Sequence, residues 1–247
     1  MKNLLLALSC LLACSSTALA YNNADLAAVQ AGEDCINGDL SGADLSHLDL
    51  SKRDFTGTNF REARLFQTKL DESSLSRTNF AHALLNQASL RKAQLQGADF
   101  SFATANNADF AFADLSQANF FRSQMRSANL LHANLHGLQA QEASLDSIKA
   151  DYANFTQANL PYSWLYGAKL KHASFVGANL YKAKLQRADL TAADLQQAKM
   201  GKINLRHALL KDALLDRADL NHADLRYADL TYTQFGTAIK KGALLDK

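Results

Sequence analysis

The chain has 247 residues, 48% of them hydrophobic, which is enough apolar material for a core and argues against disorder. Its 26 basic and 24 acidic residues give a formal charge of +2. That balance excludes a strongly basic nucleic-acid-binding surface and also a uniformly acidic one, so no nucleic acid is expected as partner.

Residues 1–20 read as a signal peptide. Lys2 supplies the basic start, residues 4–13 form a largely apolar run, and Ala18-Leu19-Ala20 matches a small-x-small cleavage site. Cleavage after Ala20 leaves Tyr21 at the N-terminus and places the protein in the periplasm or outside the cell. The apolar run is too short to span a bilayer. Leu11-Leu12-Ala13-Cys14 offers an alternative, a lipobox with Cys14 as the lipidated residue and membrane anchor. Leu12 stands where that pattern usually has a smaller residue, which argues for soluble export. Cys35 is then the one mature cysteine, without a disulfide partner or zinc spacing, and is expected as a buried small residue.

Residues 21–37 read as an N-terminal cap. Asp25 is a candidate helix N-cap, residues 26–31 a short helix, and Gly32 its stop. From there the sequence is periodic. ADLSH, ANFFR, ADLTA, ADLNH and ADLRY are variants of A-(D/N)-L-x-x. A central residue falls at every multiple of five from Leu40 to Phe235, forty in all without an insertion. Of these, 37 are Leu, Phe or Met, and the residue two before the centre is small in 35 of the 40 repeats. A period of five suits neither regular element. On a helix the leucines would spiral round the axis, and on a flat strand every second one would face water. The chain must turn once per repeat, so that the centre and the small inner residue both point to one axis.

These forty in-phase repeats resemble the pentapeptide-repeat family, whose fold is a right-handed quadrilateral β-helix with four repeats per coil. The resemblance covers residues 38–237 and implies an all-β rod of about ten four-sided coils. At about 4.8 Å per coil the rod would be roughly 48 Å long. Two series agree with a twenty-residue coil: Phe60, Phe80, Phe100 and Phe120 recur every twenty residues, and Gly57, Gly97, Gly137 and Gly177 every forty. The phenylalanines are expected to stack. The glycines, two residues after a centre, are expected at turns with positive φ. Residues 238–247 form a C-terminal cap or tail, through which a homodimer could assemble.

Departures from the repeat are few. At Leu138/Ala140 and Ile148/Ala150 the large and small residues are exchanged, which conserves volume. Ala105 has no such compensation, and Met125, one coil above, is expected to lean into the gap. Arg53 replaces a small inner residue in the first coil.

Little in the chain suggests chemistry. The residue before the centre is Asp twelve times, which is read as turn-forming hydrogen bonding rather than a carboxylate array. The seven histidines lie one or two residues after a centre, and His132 and His172 share a side but stand too far apart to bind one metal. No metal or cofactor site is expected, and no enzyme activity. The candidate binding residues are an exposed aromatic corner, Tyr162, Trp164 and Tyr166, with Tyr181 stacked above Pro161. The expected function is that of a noncatalytic extracytoplasmic scaffold or binding protein for an envelope protein or other component. The alternative implied by the resemblance, a DNA-mimicking inhibitor of gyrase, is disfavoured by the near-neutral charge and the export signal.

Overall fold

The structure, a computed structural model, describes residues 21–246. Residues 1–20, with the expected signal segment, Cys14 and the expected cleavage site after Ala20, lie outside the described residues.

The first element is α1 (Asn23–Ala31). Asn22, not Asp25, is its N-cap: the Asn22 side chain accepts the Ala24 N–H at 2.9 Å. Asp25 sits in the first turn, and its carboxylate instead accepts the Asp39 N–H at 2.7 Å, pinning α1 to the first coil. Gly32 ends the helix at φ +95°, in the left-handed region that glycine enters at little cost.

From Asp39 onward the chain winds as a parallel coil. Single-residue bridges join the residue before each centre to the one twenty positions on, from Asp39 with Asn59 to Asp224 with Leu244. One circuit therefore takes four repeats, and pairing rests on isolated bridges rather than extended strands. Each repeat donates upward and downward: the Leu40 N–H reaches the Asn59 carbonyl at 2.8 Å, and the Asn59 N–H reaches the Gly38 carbonyl at 2.9 Å. Pairing continues past Thr237 into Ile239 and Leu244, so the segment expected as a cap or tail carries on the ladder.

Between bridges the chain turns. In all but two of the forty repeats the inner N–H closes a β-turn onto the residue three before it, as Ala43 does onto Leu40 at 3.1 Å; no such bond joins Gly38 to Cys35 or Arg53 to Leu50. All forty second corner residues from Asn37 to Tyr232 have positive φ, and 34 of them are not glycine. Positive φ at the third turn position is the mark of a type II turn. The glycine series thus samples a geometry that every corner shares.

Centres and inner residues are buried together from Leu40 to Leu225, apart from the partly exposed inner residues Leu48 and Arg53. The phenylalanine column stacks as expected at first, with Phe60 and Phe80 4.9 Å apart and Phe80 and Phe100 4.7 Å apart, nearly parallel. Phe120 departs from it, meeting Phe100 edge-on at 83°. The residue above Phe120 in the column is Ala140, which leaves the ring room to tip. Phe100 and Phe110, the centres on either side of the buried Ala105, approach edge to face at 5.8 Å. Leu138 and Ile148 are buried beside Ala140 and Ala150, so the exchanged pairs fill the axis between them.

Candidate functional site

Most aspartates and asparagines on the rod are hydrogen-bonded to its own backbone. Asp44 and Asp99 each accept the N–H two residues on, from Ser46 at 3.1 Å and Ser101 at 2.9 Å, and many of the Asx residues before a centre do the same. Asparagines link coils as well: the Asn134 amide donates to Asp114 at 3.0 Å, and the Asn154 amide to Asn134 at 3.1 Å. Among the described residues no group of three or more His, Cys, Asp or Glu could hold a metal ion, and no helix is long and apolar enough to cross a membrane. Cys35 is buried; burial pushes its thiol up, and the Asp25 carboxylate adds to the effect.

The aromatic corner follows from strand alternation. Tyr162, Trp164 and Tyr166 point outward and are each about half exposed, at 46%, 45% and 45%. Ser163 and Leu165 between them point inward and are fully buried. Tyr162 is a second corner residue at φ +60°, Trp164 pairs with Ser144 below and Lys184 above, and Tyr166 begins the next corner. The inward Ser163 hydroxyl donates to the Leu160 carbonyl at 2.7 Å, so this polar inner residue is satisfied. Tyr181 follows Pro161 by one twenty-residue circuit, and its ring meets Tyr162 edge-on, centroids 5.9 Å apart at 85°.

Each ring has a cation from the next coil. Lys184 Nζ lies 4.7 Å from the Trp164 centroid, Lys182 Nζ 5.2 Å from Tyr162 and 5.4 Å from Tyr181, and Arg187 Cζ 5.8 Å from Tyr166. Contacts of this kind contribute about 0.5–1 kcal/mol each at exposed sites. Below the rings lies a carboxylate row. Glu142 takes a 2.8 Å bond from Arg122 Nε, and Asp146 accepts the Tyr166 N–H at 3.0 Å. Glu142, Tyr162 and Trp164 line an open hollow of about 350 Å³. A second hollow of about 330 Å³ near the C-terminal end contains Asp216, whose carboxylate is taken up by the Thr237 N–H and hydroxyl.

Sequence reasoning found the rings but not their cations. The signal was present, since Lys182 and Lys184 stand twenty residues after Tyr162 and Trp164. It also missed an exposed ring ladder on another corner. Phe112, His132, Tyr152 and His172 stack in sequence at 5.1, 5.0 and 4.8 Å, within 15° of parallel, so Tyr152 fills the gap between the two histidines.

A chain that returns to the same side every twenty residues, bonds each circuit to the next and fills its axis with leucine and phenylalanine is a β-helical solenoid. This one belongs to the pentapeptide-repeat family. Eight copies of the family profile, described as pentapeptide repeats, match within residues 39–77, 73–110, 106–137, 141–175, 165–201 and 203–239. Among solved structures, HetL, a pentapeptide repeat protein involved in heterocyst differentiation regulation from the cyanobacterium Nostoc sp. strain PCC 7120, is 29% identical. That match covers 89% of this chain and 94% of HetL, with a TM-score of 0.69. QnrB1, a plasmid-mediated fluoroquinolone resistance protein, is 18% identical over 83% of this chain and 92% of its own, with a TM-score of 0.36. A pentapeptide repeat protein of the Arabidopsis thaliana thylakoid lumen is 27% identical over 48% of this chain and 65% of its own, with a TM-score of 0.23. A search of curated proteins finds no match.

Proposed function

We propose that the chain is a noncatalytic binding protein, a right-handed rod of about ten coils that holds a partner protein on the side carrying Tyr162, Trp164 and Tyr166. The observation that carries this reading is the outward row of three large rings on one side of one coil, each about half exposed. Rigid amphipathic rings give a large contact area at low cost in side-chain entropy, which suits protein recognition. The polar groups that resembled chemistry are tied up in turns and inter-coil bonds. The likeness to HetL, which is involved in regulation, supports a binding role in preference to catalysis.

A photo-crosslinking residue placed at position 164 in the native cell tests the site. A discrete crosslinked partner is expected there and not from the same residue at Asn154, on another side of the rod. Equal crosslinking from both positions would overturn the site. The proposal includes export: intact-mass analysis of the native protein is expected to find Tyr21 as the N-terminus, and an acylated Cys14 would show the lipoprotein form instead. The gyrase-inhibitor alternative has no observation in its favour, and a supercoiling assay with the mature chain is expected to show no inhibition.

A further inference from the structure

On the lower coils of this rod several basic side chains have a carboxylate one coil away. Arg64 pairs with Asp44 at 3.7 Å, Arg122 with Glu142 at 2.8 Å and Arg126 with Asp146 at 3.7 Å, all on the side that carries the aromatic row. Higher on that same side the pattern stops. Residues 181–187 and 201–207 contain Lys182, Lys184, Arg187, Lys202 and Arg206 and no acidic residue. Among the described residues none of these five cations makes a salt bridge within 4.0 Å. The one acid above them in the central column, Asp224, is occupied by Arg226 through bonds of 2.9 and 2.8 Å.

Lys182 lies directly beneath Lys202 in the coil register, about 4.8 Å below it by the inter-strand spacing. Like charges opposed on neighbouring strands destabilise a sheet. The sequence therefore carries an electrostatic cost here that the acid–base pairs lower on the same side do not. Anionic groups set between the two coils would offset that cost, and the cations are already directed outward beside the exposed rings.

The rings also bear on the class of anion. Bases of single-stranded nucleic acid bind by stacking on open aromatic faces. Here the ammonium groups of Lys184 and Lys182 occupy the sides of Trp164 and Tyr162 that face the basic coils, at 4.7 and 5.2 Å. The hollow between Glu142, Tyr162 and Trp164 adjoins those rings and suits an apolar side chain. A chain that presents carboxylates to one side and an aliphatic or aromatic residue to the other meets both demands.

We infer that this surface docks an acidic peptide segment of a partner protein, with its carboxylates between Lys182, Lys184, Arg187, Lys202 and Arg206 and an apolar residue against Trp164. This rests on the reading of the aromatic side as the binding surface and names the chemistry of its partner.

The test uses the full chain and a short fluorescent peptide of alternating glutamate and leucine, followed by anisotropy, with the glutamine counterpart and oligothymidylate as competitors. The acidic peptide is expected to bind, the glutamine peptide not to, and binding to weaken as salt rises from about 50 to about 200 mM. The pair Lys184→Glu and Lys202→Glu should weaken binding by about tenfold or more, while the thermal midpoint stays level or rises because like charges have been separated. Undiminished binding by this variant, or tighter binding of oligothymidylate than of the acidic peptide, would overturn the inference. If Trp164→Ala abolishes crosslinking of the native partner at a neighbouring position while the lysine reversals leave it intact, the surface stands and the acidic partner falls. If neither change matters, the surface itself is wrong.

Discussion

The guanidinium of Arg53 donates a 2.7 Å hydrogen bond to the carbonyl oxygen of Val29, in the last turn of α1, and a second of 3.3 Å to the Asp49 carbonyl. One side chain thus joins the capping helix to the first coil. Arg53 occupies an inner position, where the repeat asks for a small residue, so Arg53→Ala moves the sequence towards its own consensus. It should nonetheless destabilise the N-terminal end. A charge-assisted bond to a partly buried carbonyl contributes about 1.5–3 kcal/mol. Hydrogen exchange across residues 22–31 is expected to accelerate in Arg53→Ala while exchange near Leu165 is unchanged. Unaltered protection of α1 would show that the helix is held by Val29 packing and the Asp25 contact alone.

Those residues also show what can be read from sequence and what cannot. The repeat phase was legible because only a residue of the right size fits the axis, and the size pattern repeats forty times. The helix cap was not, since Asn22 and Asp25 are both good capping types and only the reach of each side chain decides between them. The tipping of Phe120 depends on a residue twenty positions away, Ala140, and the cations of the aromatic corner depend on the same register. His132 and His172 were compared with each other as metal ligands, whereas the structure stacks both on Tyr152. What escaped were relations between neighbouring coils, because a linear scan sees one repeat at a time.

The corner geometry makes a prediction of opposite signs. Ala192 stands at φ +55° with a β-carbon, whereas Gly97 stands at φ +66° without one. Ala192→Gly should raise stability and Gly97→Ala lower it, each by about 1 kcal/mol, because left-handed backbone disfavours L-residues. Sterics add little at Gly97, where a β-carbon would meet Arg77 Cγ at an ordinary 3.8 Å. Chemical denaturation of the two variants checks this, and the same sign for both would refute it.

Acid should weaken the rod. Hydrogen bonds from the Ser46 and Ser51 side chains, followed by their N–H groups, hold Asp44 and Asp49 below the usual carboxylate range. The Arg226 side chain does the same for Asp224, and Thr231 for Asp229. Because these groups are more acidic folded than unfolded, their contribution is complete above the ordinary carboxylate pKa of about 4 and is lost as pH falls through it. Denaturant midpoints are expected to hold level from pH 7 to about pH 5 and to drop below that. Asp224→Asn should flatten the drop, and an identical acid profile in that variant would remove Asp224 from the account.

The exchanged pairs offer a test of whether the axis counts volume or position. Leu138 is buried where the repeat places a small residue, and Ala140 is buried where it places a large one. Leu138→Ala alone removes the bulk and leaves alanine at both sites, which should cost about 2–5 kcal/mol. Adding Ala140→Leu returns the volume to the ordinary centre, and most of that loss should be recovered. The recovery will be partial, since the new side chain enters the space into which Phe120 has tipped, and the 83° angle between Phe100 and Phe120 would have to close towards the parallel stacking of Phe80 and Phe100. Ile148→Ala with Ala150→Leu repeats the experiment ten residues on, where no phenylalanine lies below Ala150 in its column, because Leu130 does. Recovery there should be nearer complete. Simple additivity of the two single changes in either pair would show that the sites do not share volume and that each position has its own size requirement.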